Sequence, residues 1–148
     1  MSKTSRRTFV QASALAAGAA ATLSVPQVLL GQRGANERIR VGLVGLGGRM
    51  HSHVGSLAAM AQSDNVEIAA VCDCDKKKLE TAETDYPQLA NFKLKKYSSQ
   101  DELFADKSID AISFSTQDHW HALQTILACQ AGKPVYAEKP PTWCIWEG

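Results

Sequence analysis

A chain of 148 residues that is 45% hydrophobic and 21% charged has the size and balance of one globular domain, which excludes general disorder. Its formal net charge of +1 gives no electrostatic case for nucleic acid or for an acidic partner. No repeat and no low-complexity block stands outside the N-terminal segment.

That segment reads as an address rather than as a fold element. Lys3, Arg6 and Arg7 make a basic start, and no charge follows from Thr8 to Gln32. Alanine and glycine keep the middle only mildly apolar, which predicts a signal peptide rather than a spanning helix. Ser5-Arg6-Arg7-Thr8-Phe9 resembles the twin-arginine signal S-R-R-x-F. The expectation is export to the periplasm through that pathway, with the membrane met only through the signal. Ala16 to Ala21 offers A-x-A cleavage options, and an alanine-rich helix or an uncleaved anchor stays open as the alternative. Residues 1–35 are then signal and linker, and residues 36–148 are the domain.

Gln32 to Arg38 is polar and carries Gly34 and Asn36, as a linker does. Ile39 to Val44 is the first predicted strand. A helix is expected from Gly48 to Ala61, with His53, Leu57, Met60 and Ala61 near one face. Ser63-Asp64-Asn65 breaks it. Val66 to Cys72 is an almost continuously apolar run, which suits a parallel strand covered on both faces. Asp75 to Tyr86 is polar and helix-prone, and Pro87 ends it. Lys93 to Tyr97 reads as a short edge strand whose lysines discourage further pairing. Ser99-Gln100-Asp101-Glu102 has the form of a capping box opening a short helix. Ile109 to Ser115 is another strand. Asp118 is expected to cap a helix from His119 to Ala131, with Leu123, Ile126, Leu127 and Gln130 close on one face. Gly132 stops that helix, Pro134 follows, and Pro134 to Ala137 is the last short strand. Such alternation predicts an α/β fold with a doubly wound parallel sheet. A sheet of that kind takes its ligand outside the carboxyl ends of the strands, at the switch point.

The chemistry gathers at those strand ends. Gly45-Leu46-Gly47-Gly48-Arg49 follows the first strand. Gly45 allows a tight turn, and Gly47 lets the backbone approach a pyrophosphate. The N–H groups of Gly48, Arg49 and Met50 would then point at phosphate from a helix start. Met50 stands where G-x-G-x-x-G has its third glycine, which normally permits close helix–strand packing. Asp73 ends the second strand, where an acid hydrogen-bonds ribose hydroxyls, at an interval longer than the usual ~20 residues. An acid there repels a 2′-phosphate and favours NAD over NADP. Lys76, Lys77 and Lys78 are read as a solvated helix start that could soften the preference. Ser115 and Thr116 follow the fourth strand, where they can touch the nicotinamide half. His119 and His121 lie two apart, about 200° apart on a helix, which opposes shared zinc ligation. No metal is expected. Cys72, Cys74, Cys129 and Cys144 are read as small buried thiols. Glu138-Lys139-Pro140 places a charged pair and a rigid turn at the same sheet edge, where a lysine could donate to a substrate oxygen.

In series, "VGLVGLGGRM", "VCDCD", "STQDHWHA" and "AEKP" resemble the N-terminal domain of the Gfo/Idh/MocA oxidoreductases. The resemblance covers roughly Arg38 to the C-terminus. It implies a Rossmann domain binding NAD or NADP. Gly45, Leu46, Gly47, Gly48, Arg49 and Met50 would lie at the pyrophosphate, and Asp73 at the adenosine ribose. Ser115, Thr116 and His119 would line the nicotinamide side. Lys139 would match the family's catalytic E-K-P lysine, with Glu138 beside it. The implied chemistry is hydride transfer at a sugar or polyol carbon. The resemblance also implies a second α/β domain carrying most of the substrate pocket, and this sequence stops at Gly148 before it. The chain is therefore expected to bind dinucleotide without turning over substrate alone. A non-catalytic dinucleotide-binding or partner-docking module is the alternative, and a methyltransferase with the same glycine turn is opposed by the E-K-P strand end.

Overall fold

The computed structural model describes residues 38–147; the twin-arginine-like segment lies outside them. Five strands run β1 Ile39–Val44, β2 Val66–Cys72, β3 Lys95–Tyr97, β4 Ala111–Phe114 and β5 Val135–Ala137. They form one sheet in the order β3-β2-β1-β4-β5, and every neighbouring pair is parallel. The helices are α1 Met50–Ser63, α2 Lys76–Glu80, α3 Ala82–Asp85, α4 Gln100–Ala105 and α5 Asp118–Gln130, with short 3₁₀ turns at Pro87–Asn91 and Ile145–Glu147. The chain winds outward from β1 to β3, returns, and continues from β4 to β5 on the other side. The strand order therefore reverses between β1 and β4, the place where a doubly wound sheet opens its binding crevice.

Two apolar clusters cover the two faces of the sheet. Met50, Val54, Leu79, Ala82, Tyr86 and Leu89 pack with Val41, Leu43, Ile68 and Val71 on one side. Leu103, Phe104, Ile109 and Ala128 pack with Val44, Ala70, Ile112 and Phe114 on the other. Strands buried from both sides need no polar alternation, as the apolar run of β2 foretold.

Several elements depart from the expected ones, each for a local reason. Helix α1 begins at Met50, and full burial is confined to Met50, His53 and Val54; Met60 is 40% exposed. Only its first turns lie on the sheet. The helix expected from Asp75 to Tyr86 is broken at Thr81, whose single hydroxyl hydrogen is shared between Lys77 O at 3.1 Å and Asp85 Oδ2 at 2.6 Å. Such back-bonding competes with helix continuation. Asp75 caps α2 by accepting the Lys77 N–H, and Ser99 caps α4 by accepting that of Asp101. Asp118 does not cap α5; it lies in the first turn, where its charge suits the helix dipole.

Helix α5 is also rotated from the expected face. Leu123 and Ile126 are 46% and 51% exposed, while His121, Gln124 and Ala128 are buried. The polar pair is buried because Thr116 before α5, Gln100 on α4 and Pro140 after β5 satisfy it. Gln124 accepts the Thr116 hydroxyl at 2.6 Å and donates to Gln100 at 2.8 Å. The thiols correct the sequence reading as well: Cys72 is buried, but Cys74, Cys129 and Cys144 are exposed, and all four are free. Burial, with the neighbouring Asp73 charge behind it, pushes the Cys72 thiol up to about 12.

Candidate functional site

The carboxyl ends of β1, β4 and β5 open on a cleft of about 420 Å³ lined by Arg49, Ser115, Thr116, Asp118, His121, Glu138 and Lys139. The glycine turn forms one rim. Gly45 has φ +86°, and a Cβ there would stand 2.8 Å from Thr116 Cγ2, so the turn after β1 and the loop after β4 touch only because Gly45 lacks a side chain. At Gly47 and Gly48 a Cβ would meet nothing within 4 Å. The chain's own packing therefore does not require glycine at those two positions. A ligand approaching the backbone would. Gly48 and Arg49 amides have no hydrogen-bond acceptor among the described residues, and both residues are exposed at the step into α1. That is the geometry in which a helix start holds phosphate.

Met50 contributes differently. Its side chain is fully buried, and its N–H already donates to Gly47 O at 2.9 Å. The flexible thioether fills the space between α1 and the sheet that a third glycine would leave closed. Leu46 likewise is 5% exposed and points inward. Tyr86 braces the turn from the side, donating its hydroxyl to Gly47 O at 2.8 Å, while its ring stacks at 4.3 Å on His51.

Asp73 joins the turn to the end of β2. It is 8% exposed. Its carboxylate accepts the Leu46 N–H at 2.8 Å and the Asp75 N–H at 2.9 Å, with Lys78 Nζ 3.7 Å away. Those bonds fix the carboxylate while leaving acceptor capacity for a hydroxyl pair. Lys78 is thus not a purely solvated charge.

The opposite rim is the turn after β5. The Lys139–Pro140 bond is cis. His121, 1% exposed, ties this rim to the loop after β4: its ring nitrogens lie 2.7 Å from Pro140 O and 3.1 Å from Thr116 O. The Thr116 hydroxyl is turned inward to Gln124, and Ser115 Oγ is 3.4 Å from Gly45 O. Glu138 reaches back across the cleft to α1. Its Oε1 takes the Nε–H of Arg49 in a short ion pair and lies 3.0 Å from His53 Nε2. These donors, His53 first and Arg49 second, hold the Glu138 carboxyl down to about 2. It is an anion at neutral pH and cannot serve there as a proton donor.

Of the residues expected at the site, Arg49, Ser115, Thr116, Glu138 and Lys139 come together around the cleft, and Gly45, Gly47 and Gly48 form its rim. Leu46, Met50 and Asp73 sit beneath the turn as its support. His119 is exposed, beside the Trp120 ring at 6.0 Å, and outside the cleft lining. His121, two residues on, is the histidine that lines it. Asp118, His53, Ser113, Tyr86 and Gln124 were not singled out from the sequence as site residues. His53 and His121 carried a faint signal, as histidines on helix faces that follow glycine and threonine strand ends. No group of three or more His, Cys, Asp or Glu residues able to hold a metal ion occurs among the described residues.

Comparison with known proteins gives this geometry a family. Residues 39–147 match the oxidoreductase family with an NAD-binding Rossmann fold. A glycosyl hydrolase family 109 protein of Solibacter usitatus is 30% identical over 160 residues, covering 99% of this chain and 36% of the relative. The solved WlbA dehydrogenase of Bordetella pertussis, in complex with NADH and UDP-GlcNAcA, is 31% identical with a TM-score of 0.64, covering 76% of this chain and 30% of that one. The scyllo-inositol dehydrogenase of Lactobacillus casei, with bound NAD(H) and scyllo-inositol, shares the fold at 23% identity and a TM-score of 0.63, over 75% of this chain and 31% of that one. This chain spans about a third of the length of each.

Proposed function

The chain belongs to this oxidoreductase family, and we propose that its NAD-binding Rossmann domain presents the dinucleotide for hydride exchange at a sugar or polyol carbon. The observation that carries the reading is the pair Gly47 and Gly48, glycines that no neighbour among the described residues requires, beside exposed amides without an acceptor among those residues at a helix start. The residues fit the cofactor. Gly47, Gly48 and Arg49 would hold the pyrophosphate, Asp73 the adenosine ribose, and Ser115 and Thr116, which line the cleft as His119 does not, the nicotinamide side. The dinucleotide supplies the hydride chemistry, and the protein supplies orientation and charge. Lys139, on the cleft wall, would donate a hydrogen bond to the substrate oxygen and carry the proton that leaves or joins it. NAD is favoured over NADP because the Asp73 carboxylate opposes a 2′-phosphate. Lys78 at 3.7 Å offsets that repulsion only in part.

Glycoside cleavage is a second reading, favoured by the description of the Solibacter relative. In its two-carboxylate form it asks for a carboxylic acid that can protonate a leaving oxygen. Of the two acidic residues on the cleft, Glu138 is held ionised, so the acid would have to be Asp118 or come from elsewhere. Export forms part of the same proposal, supported by Ser5-Arg6-Arg7-Thr8-Phe9. A reporter fused after residue 35 should reach the periplasm and stay cytoplasmic when Arg6 and Arg7 are both lysine.

Titration with NADH, followed by calorimetry, tests the cofactor reading. Binding by the wild-type chain that Asp73→Ala weakens is the expected result. No binding by the folded chain would overturn it.

A further inference from the structure

Arg49 and Glu138 stand on facing rims of the cleft, at the step into α1 and on the turn after β5. Their bond is backed by a buried chain of hydrogen bonds. His53 Nε2 lies 3.0 Å from the same Glu138 oxygen, and His53 Nδ1 lies 2.7 Å from Ser113 Oγ on β4. His53 and Ser113 are 6% and 4% exposed, so the bond between them is shielded from water, while the bond to Glu138 is part-buried at the cleft wall. The Tyr136 ring meets the imidazole edge to face, with the ring centroids 5.3 Å apart.

The donor directions follow from the chemistry of the partners. Ionised Glu138 only accepts, so His53 carries its hydrogen on Nε2. Nδ1 then accepts the Ser113 hydroxyl hydrogen. With those directions every polar atom of the run Ser113 to His53 to Glu138 has a partner. By residue type this is serine, histidine and glutamate, as in a nucleophile triad. Ser113, however, is buried within β4, and no substrate carbonyl can reach it.

We infer that His53 is a positioning residue for Arg49: it fixes Glu138, which engages the arginine through Nε and leaves the Nη nitrogens for an anionic ligand. One of these, Nη1, is only weakly engaged, with Ser52 Oγ at 3.4 Å. An arginine on an exposed helix start otherwise samples many rotamers, and ordering it on binding costs affinity. The relay orders it beforehand. This inference rests on the dinucleotide reading, with the pyrophosphate as the anion Arg49 meets.

The test is a double-mutant cycle on the full chain, with NADH as the titrant. His53→Phe keeps a ring against Tyr136 but removes the donor. It should weaken NADH about fivefold, the scale of one immobilised side chain. His53→Gln, which restores an N–H, should recover most of the loss. In an Arg49→Gln background, His53→Phe should add nothing, because its path to the ligand is gone. Should His53→Phe not fold, Ser113→Ala carries the same comparison. Nitrogen-15 NMR of the ring should show the Nε2–H tautomer, a readout independent of NADH. An Nδ1–H tautomer or an imidazolium at neutral pH would overturn the inference, as would equal losses in both backgrounds. Absence of NADH binding by wild type with the Nε2–H tautomer present would instead strike the dinucleotide reading, and the ligand role of Arg49 with it.

Discussion

At the scale of single residues, the glycines of one turn separate into two kinds. Gly45 is held at φ +86°, and its missing Cβ makes room for Thr116 at 2.8 Å. Gly45→Ala should therefore destabilise the fold by about 1–3 kcal/mol, from left-handed strain and the clash together, read as a lowered denaturant midpoint. Glu138 gives a second prediction. Its carboxyl is lowered from 4.5 to about 2, so the folded chain binds fewer protons than the unfolded chain in that window. The stability it contributes is present above pH 4.5 and is lost as pH falls toward 2. Wild type should lose more stability than Glu138→Gln across that interval in urea melts. An identical loss would show that the bonds from His53 and Arg49 do not hold the carboxylate.

At the scale of elements, helix α5 is the informative case. The spacing of Leu123, Ile126 and Leu127 predicted an apolar buried face, yet the helix buries His121 and Gln124 instead. Periodicity registers hydrophobicity, whereas the helix settled where its polar side chains find partners in the loop after β4 and at Gln100 on α4. Leu123→Lys and Ile126→Lys should each change stability by no more than about 0.5 kcal/mol. Ala128→Leu, at a fully buried position, should cost about 1–3 kcal/mol through overpacking. Thermal melts of the three variants decide between the two faces. The break at Thr81 was hidden for the same reason: back-bonding to Lys77 is a local hydrogen bond that composition does not register.

At the scale of the whole molecule, the strand–helix alternation was legible because the inner strands β2 and β4 are largely apolar, the edge strand β3 is marked by its lysines, and Gly, Pro or a capping side chain punctuates the helices. The cleft was legible in part. Residues that follow a strand, such as Arg49, Ser115, Thr116, Glu138 and Lys139, converge because the parallel topology brings strand ends to one edge. The residues that brace them, His53, Ser113, Tyr86 and Gln124, come from helix faces and strand interiors. Their pairings span up to 85 residues of sequence, as His53 with Glu138 does, and no local pattern announces them.

Gly47 distinguishes a turn shaped for a dinucleotide from one shaped for the protein's own packing. Calorimetric titration of NADH into the wild-type chain and Gly47→Ala, alongside their thermal melts, tests this most directly. A Cβ at Gly47 meets no protein atom within 4 Å, so the melting temperature should be unchanged. The same Cβ would stand where the pyrophosphate approaches, so NADH affinity should fall at least about tenfold, equivalent to about 1.4 kcal/mol. Equal NADH affinity in the two proteins, or no binding by the folded wild type, would contradict the account.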